Sequence, residues 1–136
     1  MFVIALYTGF GVILGHNFPF YMNFRGGKGI AAFSGRVIGL MIYDYKFFIF
    51  GFVIFFGTLL ITKYVSLSSL ILMFCFFVEM VAFGQLKMIN HLHDSDRLEA
   101  YALAFVLMAL SFIRHRTNIK RLLNGTERRI GSKKED

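Results

Sequence analysis

Five long apolar stretches, at residues 1–14, 30–42, 47–61, 65–84 and 100–113, divide this chain, with four polar breaks between them. As helices, runs of roughly 13 to 20 residues reach about 20 to 30 Å, so the longer ones can cross a hydrocarbon layer of roughly 30 Å. A water-facing globule cannot absorb them. Of 136 residues, 57% are hydrophobic and only 17% charged, with 18 Phe, which leaves too little polar surface to coat a domain of this size. In lipid the backbone must bond to itself, and these segments lack the two-residue alternation of a barrel strand. The expectation is an all-α polytopic transmembrane bundle of about five spans, one membrane domain over residues 1–136. The 30–42 stretch is the shortest.

Charge orients that bundle. The formal charge of +7 could serve a nucleic acid, but on so apolar a chain it suits anionic lipid headgroups, so membrane lipids and no nucleic acid are expected as partners. Lys and Arg concentrate in alternate breaks: Arg25, Lys28, Lys63, and Arg114, Arg116, Lys120, Arg121, Arg128, Arg129, Lys133 and Lys134 on one side. Lys46, Lys87 and Arg97 stand on the other. The positive-inside rule then predicts an outside N-terminus and a cytoplasmic basic tail over residues 114–136. Met1 is followed directly by apolar residues, with neither a basic lead-in nor an A-x-A site, so no cleavable signal peptide is expected.

Three polar segments on the inner side carry candidate chemistry. Residues 15–32, GHNFPFYMNFRGGKGIAA, place Gly26, Gly27 and Gly29 around Lys28 with Arg25 beside them. Glycines there can turn several N–H groups toward one anion, and a following helix adds its positive end. This is a phosphate cradle, but not a Walker loop, because Gly29 stands where Ser or Thr would be needed. The tail, RHRTNIKRLLNGTERRIG, adds His115, Asn118 and Glu127 to a basic run. Between the third and fourth stretches, TKYVSLSS offers Ser66, whose spacing suits a helix cap. Together the three segments suit an anionic substrate with a lipid portion.

Other signals weigh less. HLHDSD, residues 91–96, has the H-x4-D spacing of a different class of glycerolipid acyltransferase, but it falls on the outer side and reads as a solvated turn; no metal site is expected. Gly11 with Gly15, and Gly35 with Gly39, read as helix contacts. Glu79 is an ionisable group inside a span, near enough to its outer end to reach water. Cys75 lies in an apolar run and is rejected as a nucleophile, and a lone cysteine excludes a disulfide framework.

In this order and spacing, GHNFPFYMNFRGGKGIA, TKYVSLSS and HRTNIKRLLNGTE resemble the bacterial membrane-bound acyl-phosphate:glycerol-3-phosphate acyltransferases, the PlsY family. The resemblance implies a multi-pass enzyme of the bacterial cell membrane, its active site facing the cytoplasm. It would transfer a fatty acyl group from acyl phosphate to the 1-hydroxyl of glycerol 3-phosphate in phospholipid synthesis, with lysophosphatidic acid and phosphate as products. It implies phosphate binding by Gly26, Gly27, Lys28 and Gly29, catalytic roles for His115, Asn118 and Ser66, and bracing by His16, Arg25 and Glu127. No cofactor is implied, and the enzyme that makes acyl phosphate is a candidate partner. Family members also carry an SGNxGATN motif and an arginine ahead of the point where this sequence starts. On that reading the chain lacks about two N-terminal spans, and an incomplete, purely structural membrane piece is the alternative. The absence of Trp fits a reading frame interrupted where UGA encodes tryptophan. Ala32–Phe33 departs from the threonine usual after the glycine-lysine loop.

Overall fold

The computed structural model describes residues 2–20, 23 and 44–131. Among these every regular element is helical: α1 (Phe2–Asn17), α2 (Tyr45–Thr62), α3 (Val65–Gln85), a 3₁₀ turn (Asp94–Asp96), α4 (Arg97–Arg114) and α5 (Arg116–Leu123). The 30–42 stretch and the loop of Arg25, Gly26, Gly27, Lys28 and Gly29 lie outside the described residues, as do Gly35 and Gly39.

Helix limits follow local chemistry more closely than hydropathy. α1 runs on to Asn17, past its apolar stretch, and closes with Phe18 N–H donating to Leu14 O at 2.8 Å just before Pro19, whose ring disfavours further helix. α2 starts at Tyr45 because the Asp44 side chain accepts from Lys46 N, a cap for an otherwise unpaired donor. It ends at Lys63, whose left-handed backbone (φ 61°) lets its N–H reach Leu59 O. α3 then returns after a turn of only two residues, making an antiparallel hairpin. α2 and α3 are long and apolar enough to cross a membrane, and the pair α4 and α5, bent by 61° at His115, counts as a third span if taken as one. α1 is shorter, at 16 residues.

α3 is the central helix, packed on α2 along one side and α4 along the other, while α1 lies against α4. Phe47 joins the layers, its ring 6.2 Å from Phe2, 5.7 Å from Phe76 and 5.8 Å from Phe83. Below it, Leu6, Ile13, Met73, Met80, Leu103 and Leu107 fill the core. Only Phe47 and Gly51 of α2 are buried. Ile49, Phe50, Phe52, Val53, Phe56, Leu60 and Ile61 face outward, an apolar surface that lipid tails solvate and water does not.

The start of α2 is tied to the loop after α3 at one end of the bundle. The buried Asp44 carboxylate pairs with Lys46 Nζ at 3.1 Å, and Lys46 Nζ donates to Met88 O at 2.6 Å. Asp94, from the HLHDSD segment, takes Lys87 and Arg97 at 3.0 Å each. The Lys87 hydrogen bond, reinforced by Arg97, holds its carboxyl below the usual aspartate range. That segment is therefore a charged turn at the α3–α4 connection.

Gly11 and Gly15, expected at a helix contact, are exposed, and a Cβ on either would meet nothing within 4 Å among the described residues. The close approach falls at Gly84, where α4 crosses the end of α3 with Tyr101 over the glycine. A Cβ there would stand 2.7 Å from Tyr101 Cε1 and closer still to its hydroxyl. Gly84→Ala should therefore cost about 1 to 3 kcal/mol, the usual penalty for overpacking. Unfolding in detergent measures it, and an unchanged midpoint would show that the ring yields freely.

Candidate functional site

The buried faces of three helices change character at the same end. Along α1 the buried residues are Phe2, Leu6, Gly9, Ile13 and Asn17, one stripe at helical spacing whose last member is polar. Along α4 they are Ala100, Leu103, Ala104, Leu107 and Ser111, continuing into His115 and Asn118. α3 begins with Ser66, Ser68 and Ser69 before turning to Leu70, Leu72 and Met73. The ends meet: the Arg114 guanidinium lies 5.2 Å over the Phe18 ring, and α5 packs on α3. The apolar core thus terminates in a polar layer of Asn17, the three serines, Ser111, His115 and Asn118.

Most of this layer is internally paired, as burial requires. Ser68 donates to Tyr64 O at 2.9 Å and Ser69 to Val65 O at 2.7 Å, each bonding one turn back along its own helix. Ser66 does something else. It lies inside the first turn of α3, whose N-cap position is Tyr64, so the expected capping role is not the one it takes. Its hydroxyl donates instead to Glu127 Oε1 at 2.6 Å. The same carboxylate oxygen accepts from Asn118 Nδ2, also at 2.6 Å.

Glu127 arrives there because the chain after α5 folds back. Gly125 adopts φ 68° just past the helix, a conformation that suits glycine. The returning strand is then fastened to the α2–α3 turn by Ile130 N–H to Lys63 O at 2.9 Å and by Arg129 Nε to Tyr64 OH at 2.9 Å. The carboxylate lies beside the first turn of a 21-residue helix, whose positive end favours an anion. What reads in sequence as a basic tail over residues 114–136 is, through Gly131, a helix and a strap closing one end of the bundle.

His115 occupies the bend between α4 and α5 and is fully buried. Its Nδ1 lies 2.9 Å from Ser111 O. A carbonyl can only accept, so Nδ1 is the donor of this pair. Burial and placement one turn before Asn118 suit His115 to general-base chemistry.

Five of the residues expected at the site are described. Ser66, Asn118 and Glu127 are bonded together and His115 stands one turn away, whereas His16 lies on the exposed side of α1 and makes no hydrogen bond among the described residues. Two features escaped the sequence reading: the Tyr64–Arg129 fastening, which no spacing signals, and Asn17. The second was detectable, since it falls four residues after Ile13 on the stripe through Phe2, Leu6 and Gly9. Among the described residues no three His, Cys, Asp or Glu side chains gather as a metal set would require.

Replacing Glu127 by Ala should remove the acceptor that the Ser66 hydroxyl and the Asn118 amide share and release the strap. The expected loss is about 2 to 3 kcal/mol, read as a lowered unfolding midpoint in detergent together with new protease sensitivity after residue 123. Wild-type stability and protection in the variant would show that the strap is held by other contacts.

The glycerol-3-phosphate acyltransferase family model matches residues 1–125. Glycerol-3-phosphate acyltransferase of Brucella canis is 37% identical over 129 residues, which is 95% of this chain and 57% of that protein. The Rhizobium meliloti enzyme of the same name is 38% identical over 126 residues, 93% of this chain and 55% of that one. Two crystal structures of PlsY, an integral membrane glycerol 3-phosphate acyltransferase, superpose with TM-scores of 0.72 for its glycerol 3-phosphate form and 0.73 for its lysophosphatidic acid form. Both are 32% identical and are matched over 93% of this chain, but over only 56% and 57% of their own length. The chain therefore spans little more than half the length of the relatives it matches.

Proposed function

We propose, since this chain belongs to the glycerol-3-phosphate acyltransferase family, that its polar layer is the acceptor side of an acyl-transfer site. The substrate is glycerol 3-phosphate, the donor acyl phosphate, and the products lysophosphatidic acid and phosphate. One observation carries the reading: a buried histidine, its Nδ1 held on the Ser111 carbonyl, stands one turn from an asparagine locked to Ser66 through Glu127. The relatives' names and the two ligand forms of PlsY support it.

Acyl phosphate is a mixed anhydride with a good leaving group, so no acyl-enzyme is needed, and positioning with charge compensation carries the reaction. His115 Nε2 orients the 1-hydroxyl of glycerol 3-phosphate and takes its proton as the oxygen attacks the acyl carbon. A substrate phosphate oxygen is the competing acceptor. Asn118 and Ser66, held by Glu127, border the glycerol phosphate. The backbone of Gly26, Gly27 and Gly29, with Lys28 and Arg25, binds phosphate and offsets the charge growing on the leaving group, and His16 braces the loop. The acyl chain enters sideways from the bilayer along the phenylalanine-rich helices, and the enzyme that makes acyl phosphate delivers it at this face.

About five spans, with the site on the cytoplasmic side of a bacterial membrane, complete the proposal. The charges support that orientation. Lys63, Arg114, Arg116, Lys120, Arg121, Arg128 and Arg129 cluster at the site end, while Lys46, Lys87 and Arg97 at the opposite end are offset by Asp44, Asp94, Asp96 and Glu99. A second reading, an incomplete acyltransferase piece with a structural role, is favoured by the coverage of only 57% of the Brucella relative.

The deciding assay is acyl-phosphate-dependent formation of lysophosphatidic acid by this 136-residue chain in lipid bilayers. Turnover supports the enzyme, and no turnover favours the second reading. In an active preparation Lys28→Ala should abolish transfer without affecting insertion; near-normal rates would remove the glycine-lysine loop from the mechanism. His115→Ala separates the two proton routes. A loss of about a thousandfold, roughly 4 kcal/mol, identifies the histidine as base, and a mild loss identifies the substrate phosphate.

A further inference from the structure

Asn17 is the buried polar side chain that the site described above leaves unused. It ends α1, is 1% exposed, and its Oδ1 has no hydrogen-bond partner among the described residues. Its direction follows from the stripe it completes: Phe2, Leu6, Gly9 and Ile13 all face the core, and Asn17 continues that line one turn further. Its neighbour Phe18 lies against Arg114, which directly precedes His115. Two wholly buried polar side chains, Asn17 and His115, thus adjoin the two sides of one contact. The serines nearby use their hydroxyls on their own helix or on Glu127. Asn17 does not, although a buried carbonyl oxygen in a folded protein is almost always paired.

An unpaired buried acceptor selects a ligand that brings a donor, because a ligand lacking one leaves the acceptor stranded and is discriminated against. Resting on the function proposed above, the donors available are the two hydroxyls of glycerol 3-phosphate. The 1-hydroxyl gives its proton to His115 or to phosphate during transfer. The 2-hydroxyl takes no part in bond making and keeps its proton. We propose that Asn17 Oδ1 accepts a hydrogen bond from the 2-hydroxyl of glycerol 3-phosphate, and that Asn17 is a specificity-determining residue for the glycerol backbone. Its work is to distinguish a phosphorylated triol from a phosphorylated diol, and to fix which primary hydroxyl faces His115. His16, its exposed neighbour, has no part in this.

The probe is propane-1,3-diol monophosphate, which keeps the phosphate and the attacking hydroxyl and lacks only the hydroxyl in question. Binding of it and of glycerol 3-phosphate to the chain in lipid nanodiscs is measured by calorimetry, for wild type, Asn17→Ala and the volume-matched Asn17→Leu. Acyl transfer to each acceptor is measured in parallel. The wild type should prefer glycerol 3-phosphate by about tenfold, the scale of one buried hydrogen bond to an otherwise unpaired acceptor. Both variants should lose that preference by binding glycerol 3-phosphate more weakly while holding the diol phosphate as before. A wild type that does not discriminate, or a folded variant of either kind that keeps the tenfold ratio, overturns the assignment and leaves the proposed function standing. A wild type that neither binds nor acylates glycerol 3-phosphate overturns the functional reading, and this inference with it.

Discussion

One carboxylate oxygen, Glu127 Oε1, accepts hydrogen bonds from partners 61 and 9 residues away in the chain. Ser66 belongs to the first turn of α3 and Asn118 to α5, so this oxygen ties the central helix, the bent end of α4 and the returning strap into one body. Bonds to an ionised acceptor are stronger than neutral ones. With Asn118 held, the bend at His115 has a defined angle, and with that bend defined the imidazole has a defined direction. The Ser111 carbonyl completes the arrangement by holding Nδ1 as a donor.

Two solvents shape the rest of the molecule. Helix α2 shows the apolar one most clearly, since its outward phenylalanines and leucines would aggregate in water yet cost nothing against hydrocarbon. The same helix places Thr58 and Thr62 on its own carbonyls one turn back, at 2.6 and 2.7 Å, so that both threonine hydroxyls are paired within the helix. The polar layer at the opposite extreme is a core turned hydrophilic, where side chains are removed from lipid and water alike. That environment strengthens each electrostatic contact within it and makes each unpaired group expensive. A site assembled there can orient a small anion without the reorganisation that bulk water demands.

Family membership and the bundle's architecture support one another while describing only part of the larger relatives. The matched part contains the helices whose ends form the polar layer, and the chain superposes on the two PlsY structures with TM-scores of 0.72 and 0.73. The chemistry of that layer is argued from side chains within the chain itself. The arrangement is asymmetric: one end of the bundle is basic and carries the polar layer, and the other is a balanced network around Asp44, Asp94 and their lysine and arginine partners.

Sequence alone determined that this chain belongs in a membrane and that the apolar stretches among the described residues are helical, and it picked out three polar segments as candidates for chemistry. The reason is that lipid leaves the backbone no choice but to pair with itself, and long apolar runs advertise that solvent directly. It also singled out His115, Asn118, Ser66 and Glu127, though not what they do to one another. Tertiary structure decided that Ser66 reaches Glu127 instead of capping its helix, that the basic tail is, through Gly131, a helix and a strap, that the close glycine contact lies at Gly84, and that Asn17 rather than His16 faces inward. Those outcomes depend on which turns of separate helices come to the same height and rotation. No local pattern encodes that register, because it is set jointly by the packing of residues far apart in the chain.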